Sequence, residues 1–417
     1  MVAAANVKSS APVVDRPLGM RKAELVGMVA GLMALNALAI DIMLPAMPAM
    51  GDALGVTDPN HRQYVITSYL VGLAVAQLFF GPASDRFGRK PPLVVSLVGY
   101  AVVGFGCIFA PSFWWLVAAR AVQGVFASGA RVIALGIVRD AYKGRGMAEV
   151  MSLVMMVFMV VPILAPNIGQ VVLYLGPWPW VFAVLIAVGV AMAIWTALRL
   201  TESLPPGKRR PIDPKGLLAA YGQVLRTRAT VGYTLATGMI FGGLMAFIGS
   251  AEQIFSEVFD RRAAFTLYFA GVAGTMMVAA LVNSRLVNRF GMRKLSHLAL
   301  LGFVLLNAAE TALLWSGTGG QFILFYGVLA GSFFCFSFIG ANFNAIAMEP
   351  LGEIAGTAAA FLGFMSTLIA AGLGAAIGQQ FDGTVVPLVS GFAGVSLGAL
   401  LIVLITERGR LLTEPED

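Results

Sequence analysis

Charged residues are scarce in this sequence. Asp, Glu, Lys and Arg together make up 12% of the 417 residues, whereas hydrophobic residues make up 59%. About a quarter of the residues of a soluble globular protein are normally charged. The composition therefore argues against a soluble enzyme, a secreted module or a nucleic-acid-binding protein, and it indicates that most of the chain lies in a lipid bilayer.

Cysteine and histidine are almost absent. The two cysteines, Cys107 and Cys335, lie in apolar runs, and the two histidines, His61 and His297, are far apart in the sequence. This pattern supports neither a disulfide framework nor a thiolate or zinc site. The phosphate-binding loop of an ATPase and the His-Glu-x-x-His zinc motif are also missing. We therefore expect no metal, no cofactor and no enzymatic activity, and any active transport would draw on an ion gradient.

Long apolar runs dominate the chain, each of about 20 residues, the length that spans a bilayer as a helix. The first six are residues 24–48, 63–84, 92–110, 114–138, 147–171 and 180–199. After a polar, basic stretch, the second six are residues 230–251, 265–287, 295–315, 322–346, 356–379 and 386–406. We predict an all-α integral membrane protein with 12 transmembrane helices in two six-helix bundles.

Basic residues are distributed unevenly over the segments between these runs. With a cytoplasmic N-terminus, 23 of the 28 Lys and Arg residues fall in cytoplasmic segments and three in external ones. The positive-inside rule then places both termini in the cytoplasm, and the net charge of +7 requires no nucleic-acid partner. The predicted parts are a cytoplasmic tail (1–22), a six-helix bundle (23–200), a basic linker (201–228), a second bundle (229–406) and a cytoplasmic tail (407–417).

A short motif recurs in the two halves. The second run is followed by DRFGRK (85–90) and the eighth by NRFGMRK (288–294), with the Arg-Phe-Gly core 203 residues apart. Duplicated halves around a site at the bilayer midplane are an architecture of secondary transporters.

The link at 81–90 combines turn formers, an acid and three bases in one short cytoplasmic segment. A tight turn explains the glycines and membrane topology explains the bases, but neither explains an acid at the helix end. A carboxylate there can hold a basic residue or a helix N-terminus of the other half in one conformation and release it in another. We expect a gating role for this link, carried by Gly81, Asp85, Arg86, Gly88 and Arg89.

Three ionisable residues lie deep in the first and fourth runs: Asp41, Arg120 and Arg131. At 1.5 Å per residue, Asp41 is roughly 25 Å above the cytoplasmic start of its helix and Arg120 roughly 28 Å above the cytoplasmic end of its own, so the two can meet. A charge in hydrocarbon costs at least about 2.5–3.5 kcal/mol and therefore faces a partner or a cavity. The alternatives are proton coupling, or an ion pair that only locks two helices together.

The candidates for the substrate cavity are Arg131, Asn342 and Asn344. Arg131 lies about three helical turns from Arg120 on the same face, and its guanidinium would pair with the carboxylate of a substrate or reach towards the interface. The two asparagines would donate to a substrate or form interhelical hydrogen bonds. For Glu310, close to Trp315 and the outer interface, we favour a structural role.

Five motifs in order resemble those of one family, the major facilitator superfamily. They are the first-helix Asp motif (41–48), the loop 81–90, the fourth-helix motif (120–124), a fifth-helix motif (162–170) and the connection 347–358. Over nearly its whole length, the chain is similar to the 12-helix drug:proton antiporters of this superfamily and, more narrowly, to the bicyclomycin and chloramphenicol resistance branch.

This resemblance implies a proton-coupled antiporter that exports drugs or other amphipathic small molecules by alternating access. Its partners would be a small-molecule substrate, protons and the lipid bilayer, and it would act as a monomer in the bacterial inner membrane. The resemblance also implies a role for Arg120 in proton coupling and assigns Pro162, Pro166 and Gly169 to the antiporter motif.

Two positions depart from the family pattern. Gln170 stands where a second glycine is frequent, and Pro179 stands where an arginine often follows the first tryptophan. Both departures bear on the direction of transport. The alternative is a proton-coupled transporter of a specific anionic metabolite or siderophore, taken up or exported, whose carboxylate pairs with Arg131. A polytopic membrane enzyme is less favoured, because the sequence contains no catalytic constellation.

Overall fold

The computed structural model describes residues 17–209, 211, 213–317 and 320–412, and these residues form 14 α-helices and no strand. The tail residues 1–16 and 413–417 lie outside the described part. The first seven helices are α1 (Lys22–Asp41), α2 (Met47–Ala53), α3 (Tyr64–Phe87), α4 (Lys90–Ile108), α5 (Phe113–Ala141), α6 (Gly144–Leu175) and α7 (Trp180–Arg199). The others are α8 (Pro214–Arg226), α9 (Arg228–Gln253), α10 (Phe265–Phe290), α11 (Met292–Trp315), α12 (Phe322–Met348), α13 (Ala355–Gly378) and α14 (Val386–Thr406).

The 12 predicted spans are confirmed. Within the described residues, 12 helical stretches are long and apolar enough to cross a membrane. Helices prevail because a backbone in hydrocarbon has no water to bond with and must satisfy its N–H and C=O groups internally. The first span consists of α1 and α2, and α3–α7 and α9–α14 supply one span each. The chain is therefore a multi-pass membrane protein.

The first span is interrupted where a continuous run was expected. α1 ends at Asp41, and a 3-10 turn (Leu44–Ala46) leads into α2. Pro45 lacks the N–H that a continuous helix donates, and its ring crowds the carbonyl four residues earlier, that of Asp41, which favours the end of α1 there. As a result, Asp41 occupies a helix end and not the middle of a helix.

Glycines allow α3 and α5 to pack closely. A Cβ atom on Gly72 would collide with the carbonyl of Ala121, and one on Gly124 would collide with the carbonyl of Tyr69. Gly124 is the last residue of the fourth-helix motif. That motif therefore brings the backbone of α3 against α5 next to Arg120.

The N-terminal half (α1–α7) and the C-terminal half (α9–α14) meet along two pairs of helices. α3 packs against α13, and α6 packs against α10. These are the second span against the eleventh and the fifth against the eighth, and exchanging the halves converts one pair into the other. The interface thus has the twofold pseudosymmetry expected of duplicated halves.

The recurring Arg-Phe-Gly motif makes the same backbone turn in both halves. α3 is followed by Gly88, with φ of +93°, and α10 is followed by Gly291, with φ of +79°. Residues with a Cβ atom rarely adopt such φ values, which explains glycine at both positions.

The linker between the halves contains the helix α8. Val224 on its inner face is buried, and the Tyr221 ring stacks on Phe361 of α13 with the ring centres 4.8 Å apart. Leu218 and Leu225, seven residues apart on its other face, are exposed. α8 is therefore an amphipathic helix attached to the C-terminal half.

Candidate functional site

Arg120 is completely buried and joins three helices. Its Nε donates to the carbonyl of Val65 at 3.2 Å and its Nη2 to the carbonyl of Ala39 at 2.9 Å. Its Nη1 donates to Oε1 of Gln123 at 2.7 Å, and the guanidinium carbon lies 4.3 Å from the centre of the Tyr69 ring. Since these partners carry only partial charges, Arg120 is well solvated by the protein but not neutralised.

Asp41 is 4% exposed and makes no hydrogen bond or ion pair with any described residue. The predicted meeting with Arg120 occurs only in part. Arg120 contacts α1 at Ala39, two residues before Asp41, but no base lies within 4.0 Å of the carboxylate in the described part of the chain. Asp41 and Arg120 thus contact neighbouring parts of α1 without forming the structural ion pair that was the alternative to proton coupling.

The fifth-helix motif lies against this end of α1. A Cβ atom on Gly169 of α6 would collide with the carbonyl of Ile42, the residue after Asp41. Pro162 and Pro166 lie inside α6, where each removes one donor from the helix ladder. Gly169 is the smallest residue available, and it permits the contact that brings α6 beside Asp41.

Arg131 is half-buried on α5, and no described carboxylate lies within 4.0 Å of its guanidinium. The charges of Arg120 and Arg131 both act on the hydroxyl of Tyr69. This hydroxyl donates to Oδ1 of Asn36 at 3.1 Å, and the buried Nδ2 of Asn36 has no hydrogen-bond partner. Among the described residues, no carboxylate pairs with the cation and no acceptor pairs with the amide nitrogen. Sequence reasoning missed Asn36 and Tyr69.

The two asparagines of α12 have different surroundings. Asn342 is buried and donates through Nδ2 to Oδ1 of Asn283 on α10 and to the carbonyl of Phe338, both at 2.8 Å. Both amide hydrogens are used, so Asn342 serves helix packing, the alternative considered for it above. Asn344 is exposed.

The link 81–90 is built around Arg89, which is 4% exposed. Its Nη1 lies 2.7 Å from Oδ1 of Asp85 and its Nε lies 2.8 Å from Oδ2 of Asp140 at the end of α5. Glu202, just beyond α7, accepts from the backbone N–H of Arg89 at 2.7 Å. Burial disfavours the charged guanidinium, but the carboxylates of Asp140 and Asp85 outweigh this effect and raise the pKa of Arg89.

Asp85 and Asp140 lie in the N-terminal half and Glu202 in the linker that follows it, so in this conformation Asp85 pairs within its own link. The link nevertheless touches the other half, because a Cβ atom on Gly81 would lie 3.8 Å from Cβ of Ala360 on α13. Gly88 leaves room for the Glu202 carboxylate, and the guanidinium carbon of Arg86 lies 5.5 Å from the centre of the Phe87 ring.

A corresponding cluster closes the C-terminal half. Arg293 stands two residues after Gly291, one position later than Arg89 after Gly88, and its guanidinium lies 3.5 Å from Glu407, just beyond α14, and 3.5 Å from Glu349. The second copy of the motif therefore also uses an arginine to join its link to the end of the last helix of its half.

We expect Asp85→Asn to slow turnover and to leave substrate affinity within a few fold. The asparagine weakens the hold on Arg89, yet the ion pair with Asp140 remains. Asp85 also lies at the opposite end of α3 from Val65, which contacts Arg120. Transport rate and equilibrium binding, measured on the same preparation, check this. Glu149→Gln is the matched control, since its salt bridge with Lys22 is exposed. Lost binding with normal turnover contradicts a gating role.

Six hydrogen bonds between the halves close the end of the molecule opposite the link 81–90. Asn60 donates to two carbonyls of the segment 378–381, at 2.8 and 3.2 Å, and accepts from Gln379 at 2.7 Å and Gln253 at 3.0 Å. Gln63 donates to Gln253 at 3.1 Å and to a carbonyl of the same segment at 3.0 Å. We call these four side chains the amide latch. Nothing in the sequence pattern predicts it.

The fold and these motifs have counterparts among known proteins. Residues 29–375 match the family model described as Major Facilitator Superfamily. The chain belongs to this superfamily. The MFS-type transporter YdgK of Bacillus subtilis is 31% identical over 383 residues, which cover 89% of this chain and 92% of that protein.

Relatives named for resistance match over similar lengths. The bicyclomycin resistance protein homolog of Haemophilus influenzae is 27% identical, over 87% of this chain and 90% of its own. The multidrug resistance protein MdtL of Vibrio parahaemolyticus is 25% identical, over 80% of this chain and 83% of its own. The crystal structure of a D-xylose-proton symporter superposes with a TM-score of 0.72 at 16% identity, covering 91% of this chain and 96% of the symporter. At that identity the superposition shows a shared fold.

Proposed function

We propose that this member of the superfamily is a proton-coupled antiporter that exports amphipathic small molecules by alternating access. The resistance proteins among its relatives support export of drugs. The excess of basic residues in alternate connecting segments supports a bacterial inner-membrane protein with both termini in the cytoplasm. One chain is the transport unit, and the substrate leaves chemically unchanged.

The observation that carries the proposal is the isolation of Asp41. A buried carboxylate without a hydrogen bond or a base is costly in its charged form. Its proton therefore stays on while the surroundings are dry, and it is exchanged when a water-filled cavity reaches the end of α1. If that cavity opens alternately to the two sides, Asp41 takes up a proton outside and releases it inside.

Arg120 acts on this exchange as a positioning residue. It fixes the backbone of α1 at Ala39 and brings an uncompensated positive charge close to the site. A neighbouring cation favours the ionised form of a carboxylate. Arg120 thus assists release of the proton once the cavity opens to the cytoplasm.

A specific observation favours a second candidate, transport of an anionic small molecule. Arg131 has no carboxylate partner in the described residues, and the amide of Asn36 lacks an acceptor. A guanidinium forms two parallel hydrogen bonds with a carboxylate or phosphate. We assign Arg131, Tyr69 and Asn36 to the substrate cavity, where they bind acceptor groups of the substrate.

A vesicle experiment tests the function. Purified protein in liposomes, with a pH gradient imposed across the membrane, is expected to move an amphipathic drug against proton flow. A protonophore should abolish accumulation, and protein-free liposomes are the control. Drug equilibration that ignores the gradient contradicts proton coupling, and chemical conversion of the drug without transport contradicts a transporter.

A further inference from the structure

A small cavity lies between the two halves beside the amide latch. Its volume is about 10 Å³, and its lining includes Leu44, Met47, Arg62, Gln63 and Glu252. A cavity of this size holds one water molecule at most. One of its lining residues, Leu44, follows Asp41 by three residues along the chain. In the proposed orientation, the cavity therefore lies on the external side of Asp41.

Two opposite charges from different halves face this cavity. Arg62 belongs to the 3-10 turn before α3 and lies across Gly51, and its buried Nε has no hydrogen-bond partner. Glu252, near the outer end of α9, is 7% exposed. Neither Arg62 nor any other described base comes within 4.0 Å of the Glu252 carboxylate. The charges are therefore close across the interface without forming an ion pair.

We call the contact between the two halves at the amide latch the outer gate. In the closed outer gate, few groups compensate a negative charge on Glu252. Burial disfavours the charged carboxylate most; the Ser256 hydroxyl, Arg262 and Arg62 favour it, and Glu257 repels it. Attraction across a gap does not offset the cost of removing an ion from water. When the halves separate at the outer end, external water hydrates the carboxylate and that cost disappears. The protonated form thus suits the closed gate, and the ionised form suits the open gate.

We propose that Glu252 is a second proton-binding group and that the outer gate closes over it in its protonated form. The proton comes from the external solution when the gate closes and returns there when the gate opens. Glu252 is thus a sensor of external protons and not a carrier. The contribution of Glu252 to coupling rests on the proposed antiport. In that mechanism, a proton from outside binds Glu252, the outer gate closes, and the protein changes to the state that faces the cytoplasm.

The gate can be measured without transport. Spin labels at Thr57→Cys and Gln380→Cys, both exposed positions at the outer end of the two halves, report their separation in a Cys107→Ala, Cys335→Ala background. Double electron–electron resonance in liposomes measures the distance between the two labels. We expect the population with the longer distance to increase as the pH rises. Glu252→Gln should stay closed and lose this pH response, because glutamine resembles the protonated acid. Glu257→Gln, which removes an exposed carboxylate five residues on, should keep the pH response and shift it towards lower pH, because one charge that repels the Glu252 carboxylate is gone.

The outcomes separate this proposal from the proposed function. A pH response that persists in Glu252→Gln, or is missing in the labelled parent, overturns the role of Glu252. A response that is lost in Asp41→Asn but kept in Glu252→Gln assigns the effect to Asp41 and also overturns it. Glu252→Asp, which restores the acid, should recover the response and thereby excludes a folding defect. Failure of drug antiport with a normal gate response contradicts only the proposed function.

Discussion

Asp41→Asn is expected to reduce proton-driven transport to the level of protein-free liposomes. The amide has the size of the protonated acid but cannot release a proton, so the site can no longer alternate between neutral and charged forms. The fold should survive, because Asp41 makes no ion pair or hydrogen bond with the described residues that the substitution would break. Drug binding should therefore persist while accumulation against a pH gradient is lost. Transport and equilibrium binding are measured on the same purified variant.

Asp52→Asn is the matched control, because Asp52 lies on α2 of the same span but is exposed. This variant should transport like the parent. Downhill drug movement distinguishes two explanations for a loss in Asp41→Asn. If the variant still equilibrates the drug across the membrane but does not accumulate it in response to the pH gradient, proton coupling is lost while the change between the two open states is retained. Gradient-driven transport with an unchanged pH profile removes Asp41 from the mechanism.

Hydropathy is sufficient to predict the fold of this chain, since 12 apolar runs in a bilayer have no alternative to helices. The recurring Arg-Phe-Gly motif further predicts the repeated turn at Gly88 and Gly291. The interruption after Asp41 is also visible in the sequence as Pro45, but an apolar run hides it from a hydropathy count. α8 escapes such a count altogether, because only one of its faces is buried.

The site is less accessible from the sequence. Depth along a helix correctly brings Arg120 to α1, but it does not tell whether a guanidinium meets a carboxylate or a backbone carbonyl. The hydrogen bonds of the amide latch join residues 190 to 321 positions apart. Neutral amides near helix ends look like ordinary interface residues, so only the packing of the two halves shows that these four meet. The candidate role of Glu252 likewise depends on the packing of the two halves, because both contribute residues to the cavity beside it.

Arg131→Gln is expected to weaken binding of anionic substrates about ten- to a hundredfold, since a hydrogen bond to a charged group contributes about 1.5–3 kcal/mol. Neutral substrates of similar size should keep their affinity within a few fold, because glutamine still offers an amide donor. Structural damage is expected to be small, as the Arg131 guanidinium pairs with no described carboxylate. Competition binding with matched charged and neutral drugs measures both effects.

Arg131→Lys separates charge from geometry. A lysine keeps the positive charge but offers a single point of contact and not a planar pair of donors. If Arg131 binds a carboxylate in two parallel hydrogen bonds, the lysine variant should recover only part of the lost affinity for anions. Asn36→Leu should act in the same direction, since the removed amide is an unused donor beside the same phenol of Tyr69. Equal losses for charged and neutral drugs in both Arg131 variants assign Arg131 to helix packing, and a parent protein that prefers lipophilic cations contradicts the anion site outright.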